Sequence, residues 1–421
     1  MTIEARVPLF DLVTRIAETV DLASPLLANH HIQVAYIAFS LAKAMELSEE
    51  EKNTLFMAGA LHDVGAFSVE ERSDELDIDI EDCHRHARAG YYLLKEFEPF
   101  AKIANLIRFH HVLWDDGLGA AFEGQKVLLG SHIIHLADRI SVLIDPKEAI
   151  IWQAQRIREI VAEKTPHMFV PELVEAFQDL SLKDYFWFDV ASRSTSTLMR
   201  PQINLETLEL DMEALLSFAN VFRRMIDFRS LFTATHSSGV AACATTLARL
   251  AGFNDHDCNL MQIASCLHDV GKLAISQEIV EKKEQLTEYE YDLMRSHVYH
   301  TYRILESMLD IDTVRTWGAL HQEFLDGSGY PFRYTEQELP QGSRILVVAD
   351  VFTALVEARP YRKGMDLDAA LDMLQRLADE AKLDAGVVKL LRDNFDKIIE
   401  LCGNVQNAAE QEYRHFVSLI E

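Results

Sequence analysis

Apolar residues recur at three- and four-residue intervals along almost the whole chain, which is the pattern of amphipathic helices. One such stripe consists of Val34, Ala38, Leu41, Ala42 and Met45, and a second consists of Val240, Ala244, Leu247, Ala248 and Ala251. Only short apolar runs such as Ile345–Val348 look like strands, and the sparse prolines and glycines fall between helical segments. The pattern predicts an all-α protein.

Both stripes belong to a longer pattern of histidines and aspartates that occurs twice. A His-Asp-Val-Gly sequence begins 32 residues after His30 and again 32 residues after His236. The next two histidines are 24 residues apart in both copies, and the last aspartate stands eight residues after a Gly-Ser pair in both. The repeated residues are His30, His62, Asp63, His86, His110 and Asp138 in the first copy and His236, His268, Asp269, His297, His321 and Asp350 in the second. The common order and near-constant offset indicate an internal duplication.

The duplication predicts two tandem helical domains of the same type, one over residues 1–195 and the other over residues 205–421. Between them, Ser192–Pro201 is the only Ser/Thr-rich stretch in the middle of the chain, and we place the domain junction there. A length of 421 residues agrees with two domains of ordinary size.

Composition restricts the partners. A net charge of −27 argues against bulk nucleic acid or an anionic membrane surface, so a small anionic substrate would need local positive charge from metal ions or a few Arg and Lys side chains. No apolar run approaches the ~18 residues of a membrane span, and the N-terminus does not resemble a signal peptide. We therefore expect no membrane insertion and a cytoplasmic location. The scattered cysteines, which form no CxxC pair, are expected to be buried free thiols; they are Cys83, Cys243, Cys258, Cys266 and Cys402.

Histidines and aspartates that recur as a set indicate metal binding. A single histidine on an apolar helix is usually structural, but imidazoles together with carboxylates are a ligand set for iron, manganese or zinc. Asp269, adjacent to His268, can serve two ions because a carboxylate has two oxygens and can bridge. Two ions about 3.5–4 Å apart stabilise an in-line displacement at phosphorus. The pattern predicts a dinuclear site with phosphohydrolase chemistry.

On these residues the chain resembles the HD superfamily of metal-dependent phosphohydrolases, and its C-terminal copy resembles the HD-GYP branch. The resemblance covers Phe232 to about Met373, and it rests on His268–Lys272 (HDVGK), on His321–Pro331 (HQEFLDGSGYP) and on Arg359–Arg362 (RPYR). It implies a phosphodiesterase that converts a cyclic dinucleotide, cyclic GMP-AMP or cyclic di-GMP, to a linear 5′-phosphorylated dinucleotide. The implied cofactors are two divalent ions per active domain, iron or manganese in the first place, with zinc or nickel as alternatives.

The resemblance also implies roles for matching residues. The implied ligands of one ion are His236, His268, Asp269 and Asp350, and those of the second are Asp269, His297 and His321, with Gln322 beside them. The implied catalytic residues are Asp269 and Lys272, of which Lys272 would contact the scissile phosphate. The implied substrate-binding residues are Lys272, Arg359, Arg362, Tyr330 and Asp326.

Three positions depart from the family pattern. Gln322 replaces a second histidine, which predicts a weaker or differently coordinated second ion. Phe232 occupies the place of a glutamate found in members with a third metal, so we expect two ions. Thr353 replaces a common aspartate, and if that aspartate reads the base, cyclic GMP-AMP becomes a serious candidate beside cyclic di-GMP.

The N-terminal copy keeps every implied ligand, and its predicted second metal site consists of His30, His62, Asp63, His86, His110, His111 and Asp138. However, Ala66 stands where Lys272 would be, and Trp114–Gly117 replaces the Gly-Tyr-Pro loop. One interpretation is a second phosphohydrolase, for example one that removes the 5′-phosphate of the linear product. The other is a metal-bound regulatory or dimerisation module. Retention of the ligands favours the first interpretation, because a vestigial domain normally loses them.

Two rival interpretations concern the whole protein. A catalytically weak cyclic-dinucleotide sensor is favoured by Gln322 and opposed by Lys272 with the complete loop. An enzyme acting on mononucleotides or on a guanosine tetraphosphate-type alarmone is opposed by Tyr330–Pro331 and Arg359–Arg362, but only for the C-terminal copy. Surplus helical surface is compatible with a homodimer.

Overall fold

The computed structural model describes residues 3–23, 29–66, 84–229, 233–308, 310–357 and 364–421. These residues fold predominantly into helices, which confirms the all-α prediction. They form two compact units: Pro8–Glu206 with Leu419–Glu421, and Thr207–Ser418 with Met1–Val7. We call them the N-terminal unit and the C-terminal unit.

The N-terminal unit contains the described helices α1 (Leu9–Asp21), α2 (His30–Ala44), α3 (Glu49–Leu61), α4 (His84–Leu94), α5 (Glu98–Arg108), α6 (Leu129–Val142), α7 (Ile150–Glu163), α8 (Pro171–Leu180), α9 (Asp184–Val190) and α10 (Thr195–Met199). A 3₁₀ helix, Asp115–Ala120, precedes a two-stranded antiparallel hairpin made of Ala121–Phe122 and Gln125–Lys126.

The C-terminal unit contains the described helices α11 (Met212–Asp227), α12 (His236–Leu250), α13 (Asp255–Leu267), α14 (Gln277–Val280), α15 (Glu288–Met308), α16 (Asp312–Ala319), α17 (Gln341–Val356), α18 (Leu367–Asp379), α19 (Ala385–Asp393) and α20 (Phe395–Ile420). A 3₁₀ helix spans Val270–Ala274, and the short strands Ala5–Pro8 and Thr207–Leu210 pair with each other.

The duplication is visible in how the helices pack. Helix α2 packs against α3 and α6, and the corresponding helix α12 packs against α13 and α17. Helix capping fixes the equivalent starts of α3 and α13: Ser48 forms a capping box with Glu51, and the Asn254 side chain accepts from the Asp257 backbone N–H. Each cap stands 14 residues before the histidine of the His-Asp pair, so both helices deliver that pair at their C-terminal end.

The strand-like run Ile345–Val348 is helical and lies within α17. All four residues are almost completely buried, so apolar residues occupy every side of this part of the helix. A short, uniformly apolar run is compatible with a buried strand or a buried helix, and tertiary burial decides between them. The cysteines of the described residues are free and buried, as expected, whereas Cys83 lies outside the described residues.

Candidate metal centres

Six buried side chains of the C-terminal unit meet in one cluster, with Asp269 between two groups of histidines. Asp269 Oδ2 lies 3.2 Å from His268 Nε2, whereas Oδ1 lies 3.3 Å from His297 Nε2 and 3.8 Å from His321 Nε2. Asp350 Oδ1 completes the first group at 3.2 Å from the Nε2 of His236. The two oxygens of one carboxylate thus face two different sets of imidazoles, which is the arrangement a bridging ligand requires.

Hydrogen bonds to the backbone orient the imidazoles. Nδ1 of His268, His297 and His321 donates to the carbonyl oxygen three residues earlier in the chain, at 2.6, 2.5 and 2.8 Å. In the neutral form of each ring Nε2 is then the nitrogen with the free lone pair, and it points into the cluster.

A direct sign that a metal ion fits is the buried Nε2 of His268, which makes no hydrogen bond within the described part of the chain. Donor atoms of two overlapping sets lie within 4.8 Å of one another, one made of His236, His268 and Asp350 and the other of His268, Asp269 and His321.

The pKa values of the cluster residues reflect both burial and neighbouring charges, and the charges outweigh burial at some positions but not at others. Burial alone would lower the pKa of His236, but the carboxylates of Glu357 and Asp350 outweigh it and raise the pKa to about 10. Burial, together with the nearby His268, lowers the pKa of His321 to about 3. Burial would raise the pKa of Asp350, but the hydrogen bond from His236 and the nearby imidazoles hold it well below its ordinary value. Asp350 is therefore charged and His321 neutral, the states in which each can bind a metal ion, whereas His236 would have to lose a proton first.

Gln322 lies beside the cluster with both ends of its amide engaged. Its Nε2 donates to Asp350 Oδ2 at 3.0 Å, and its Oε1 accepts from the Tyr330 hydroxyl at 3.1 Å. Gln322 therefore connects an aspartate of the cluster with the tyrosine of the Gly-Tyr-Pro loop.

The remaining predicted residues have mixed outcomes. Lys272 Nζ lies 2.5 Å from Asp269 Oδ2, so it is at the cluster. Asp326 accepts from the backbone N–H and hydroxyl of Ser328 within its own loop. Arg359, Arg362 and Phe232 lie outside the described residues. The Thr353 hydroxyl is buried and makes no hydrogen bond in the described part of the chain.

The N-terminal unit repeats the geometry almost contact for contact. Asp63 Oδ2 lies 3.0 Å from His62 Nε2, and its Oδ1 lies 3.4 Å from His86 Nε2 and 3.5 Å from His110 Nε2. Asp138 Oδ1 lies 3.4 Å from His30 Nε2. Among the described residues the Nε2 of His62 and the Oδ1 of Asp63 are buried without a hydrogen bond, so a metal ion fits this cluster as well.

His111 enlarges the second donor set of the N-terminal unit. Its Nε2 lies 2.8 Å from the Nε2 of His86, and it completes a four-residue set with Asp63, His86 and His110. Burial lowers the pKa of His86 to about 3 and that of His111 well below its ordinary value. The two Nε2 atoms face each other, and in a neutral imidazole each has a lone pair that can bind a shared cation.

The surroundings of the two centres differ in ways the sequence reasoning missed. His236 Nδ1 pairs with Glu357 Oε2 at 2.8 Å, whereas His30 Nδ1 contacts the Ser141 hydroxyl at 3.1 Å. Asp138 Oδ2 accepts from the Nε and Nη2 of the buried Arg139, at 3.0 and 2.6 Å. A carboxylate behind a ligating imidazole increases its basicity. Glu357 stands seven residues after Asp350, two helical turns, and that spacing was the available signal.

Glu323 is a further residue that the sequence reasoning missed. It is almost fully buried, and its carboxylate accepts from three consecutive backbone N–H groups, of Phe332 at 2.7 Å, Arg333 at 3.1 Å and Tyr334 at 3.2 Å. A buried carboxylate with this many donors fixes a loop path. Glu323 thereby organises the segment that follows Tyr330.

Two helical units, each built around a buried cluster of histidines and aspartates, define a tandem HD-domain protein. The sequence matches the HD domain family over residues 27–143 and again over residues 220–387. The same fold occurs in the crystal structure of the cyclic GMP-AMP specific phosphodiesterase V-cGAP3 of Vibrio cholerae, with a TM-score of 0.63 and 23% identity over 93% of this chain and 98% of that chain.

Relatives in sequence identify the branch. The chain is 30% identical to 3′3′-cGAMP-specific phosphodiesterase 1 of V. cholerae, over 89% of this chain and 88% of the relative. It is 27% identical to 3′3′-cGAMP-specific phosphodiesterase 3 of the same organism, over 87% of this chain and 90% of the relative. It is also 33% identical to the cyclic di-GMP phosphodiesterase response regulator RpfG of Xanthomonas campestris, over 44% of this chain and 50% of the relative. The chain belongs to the HD-GYP family of phosphodiesterases, and its HD-GYP domain follows a second HD domain.

None of the described helices is long and apolar enough to cross a membrane.

Proposed function

We propose that the C-terminal unit is a metal-dependent phosphodiesterase that hydrolyses 3′,3′-cyclic GMP-AMP to a linear 5′-phosphorylated dinucleotide. The observation that carries this proposal is the Asp269 carboxylate, whose two oxygens face separate imidazole sets beside the Lys272 ammonium group. Two relatives that match nearly the whole chain are named as cGAMP-specific phosphodiesterases, which favours this substrate over cyclic di-GMP.

In this proposal, different residues of the C-terminal unit bind the metal ions and the scissile phosphate. The first ion would be held by His236, His268, Asp269 and Asp350, and the second by Asp269, His297 and His321. Divalent ions bound there would acidify a water molecule and offset charge on the phosphate. Lys272, whose Nζ lies 2.5 Å from Asp269 Oδ2, would neutralise charge that develops on the scissile phosphate. Water adds its oxygen to phosphorus, the bond from phosphorus to the 3′-oxygen breaks, and the 3′-oxygen takes up a proton.

Product analysis by mass spectrometry tests this function. Manganese- or iron-loaded protein would be incubated separately with cyclic GMP-AMP, cyclic di-GMP and cyclic di-AMP. We expect a linear dinucleotide to form fastest from cyclic GMP-AMP and Lys272→Ala to slow its formation about a hundredfold. Ligand that stays intact while both ions are verified by elemental analysis would contradict hydrolysis and favour the sensor interpretation.

For the N-terminal unit we propose a second phosphohydrolase that removes the 5′-phosphate of the linear product. Its complete donor sets, including the four-residue set with His111, support this activity. Ala66 stands at the position equivalent to Lys272, and the lack of a lysine there agrees with a substrate different from the cyclic dinucleotide. Asp63→Ala should leave cyclic dinucleotide cleavage intact and let the 5′-phosphorylated product accumulate. If wild-type protein and Asp63→Ala give the same final products, this second activity is wrong.

A further inference from the structure

A pocket of about 300 Å³ opens beside the C-terminal centre, between helix α15 and the loop that Glu323 organises. The helix contributes Asp292, Arg295, Ser296 and Tyr299, and the loop contributes Tyr330 and Arg333. The helical residues follow the i, i+3, i+4, i+7 spacing of a single face. The guanidinium groups of Arg295 and Arg333 have no part in the proposed metal binding.

Tyr330 forms the wall between this pocket and the metal centre. Its hydroxyl donates to Gln322, which in turn donates to Asp350. On the pocket side the Arg295 guanidinium lies 4.7 Å from the centroid of the Tyr330 ring. The pocket is therefore connected to the centre through the hydrogen bonds from Tyr330 to Gln322 and from Gln322 to Asp350.

Arg333 is presented to the pocket by a fixed backbone. Its N–H and those of both neighbours donate to Glu323, and its φ of 59° is a left-handed conformation that a non-glycine residue rarely adopts without such support. Its side chain is exposed, and the described residues offer it no ion pair. Among the described residues Arg295 forms an ion pair with the exposed Asp292, at 3.4 Å, and such a pair neutralises it weakly.

We propose that this pocket binds the second nucleotide of the cyclic dinucleotide, the half whose phosphodiester is not cleaved, with Arg333 on its phosphate and Arg295 against its purine. This inference rests on the proposed function of the C-terminal unit. A guanidinium pairs with phosphate oxygens and also stacks on planar rings, and the Arg295 guanidinium already lies 4.7 Å from the centroid of the Tyr330 ring. In a chain with a net charge of −27, these two guanidiniums supply local positive charge for a dianionic ligand.

The size and position of the pocket agree with this assignment. A volume of about 300 Å³ is at the lower end of small-ligand sites and suits one nucleotide rather than two. The other nucleotide would remain at the metal centre, on the far side of Tyr330. The pocket would then select for a dinucleotide over a mononucleotide, since only a dinucleotide reaches both places.

The test compares Arg333→Ala and Arg295→Ala with a control, Arg303→Ala, on the same helix. Arg303 is exposed and pairs only with Glu306, one turn away, among the described residues. Binding of a hydrolysis-resistant phosphorothioate analogue of cyclic GMP-AMP to the metal-loaded full chain is measured by calorimetry, and KM and kcat are measured with cyclic GMP-AMP itself. Unchanged metal content and thermal unfolding establish that each variant is folded.

We expect Kd and KM to rise at least tenfold in both variants, with a smaller change in kcat, and no change in Arg303→Ala, because a lost charge-assisted contact weakens binding by this amount or more. Arg333→Lys should recover most of the affinity because it keeps the charge. Arg295→Lys should recover little, because an ammonium group does not stack as a guanidinium does.

The outcomes separate this inference from the proposed function. If cyclic GMP-AMP is hydrolysed but Kd and KM in both alanine variants stay within twofold of wild type, the subsite is wrong and the phosphodiesterase stands. If the analogue binds and both variants weaken it, but no cyclic dinucleotide is cleaved, the subsite stands and the proposed function fails.

Discussion

His111 and Gln322 occupy equivalent positions in the two units, each directly after the fourth histidine of its copy. Of the predicted ligand positions, this is the one at which the two centres carry different residue types. The N-terminal unit has His111 there, 2.8 Å from His86, and the C-terminal unit has Gln322, whose amide is engaged by Asp350 and Tyr330. An imidazole is a much better ligand than an amide for transition metals. The same position therefore completes a donor set in one unit and connects a loop to the centre in the other.

This difference predicts the effect of exchanging the two residues. Gln322→His should strengthen binding of the second ion in the C-terminal unit about tenfold or more, and His111→Gln should weaken the equivalent site in the N-terminal unit by a similar factor. Competition with a chelator, followed by elemental analysis, measures both. Identical metal retention in the two variants and the wild type would show that position 322 does not affect the second site.

Metal affinity should also depend on pH. The pKa values of His236 and His62 are raised to about 10 and about 9, in each case because nearby carboxylates outweigh burial, so both imidazoles carry a proton at neutral pH. A metal ion binds only the unprotonated nitrogen, so its binding must release that proton and must become tighter as the pH rises from 6 to 9. Calorimetry in buffers of different ionisation enthalpy measures the protons released. Metal binding without proton release would contradict these protonation states.

At the scale of elements, each centre depends on a close approach between the His-Asp-Val-Gly turn and the helix carrying the third histidine. A Cβ added at Gly271 would lie 1.9 Å from the carbonyl oxygen of His297 on α15. A Cβ added at Gly65 would lie 2.3 Å from the carbonyl oxygen of His86 on α4. The glycine of the motif is thus required because backbone lies against backbone, and this contact sets the distance from the aspartate to the third histidine.

Gly271→Ala should push α15 away, destabilise the protein by about 1–3 kcal/mol and reduce occupancy of the second site in the C-terminal unit. Gly65→Ala should act in the same way on the N-terminal unit. Gly403→Ala is the matched control, because it lies in helix α20 with nothing within 4 Å of the added Cβ, and it should be neutral or slightly stabilising. Thermal unfolding and metal content measure all three. Equal stability of Gly271→Ala and Gly403→Ala would refute the close-approach explanation.

At the scale of the whole molecule, the duplication gives two centres that each depend on one aspartate lying between two donor sets. Four metal ions per chain follow if every set is filled. Asp269→Asn and Asp63→Asn should each remove about two ions, and the double variant should bind none, because the amide cannot bridge two cations. Elemental analysis of purified protein counts them. A chain that keeps four ions after Asp269→Asn would exclude a bridging role for this residue.

The sequence by itself determined the helical class, the duplication and the identity of the clustered residues, because these depend on local periodicity and on intervals along the chain. Helix caps at Ser48 and Asn254 fix where each His-Asp pair falls, and they too can be read locally. Tertiary structure alone decided that Ile345–Val348 is a buried helix, that each aspartate divides its oxygens between two imidazole sets, and that Arg139 and Glu323 serve the sites. These features depend on contacts between segments distant in the chain and on which groups burial deprives of water, and no periodic pattern encodes either.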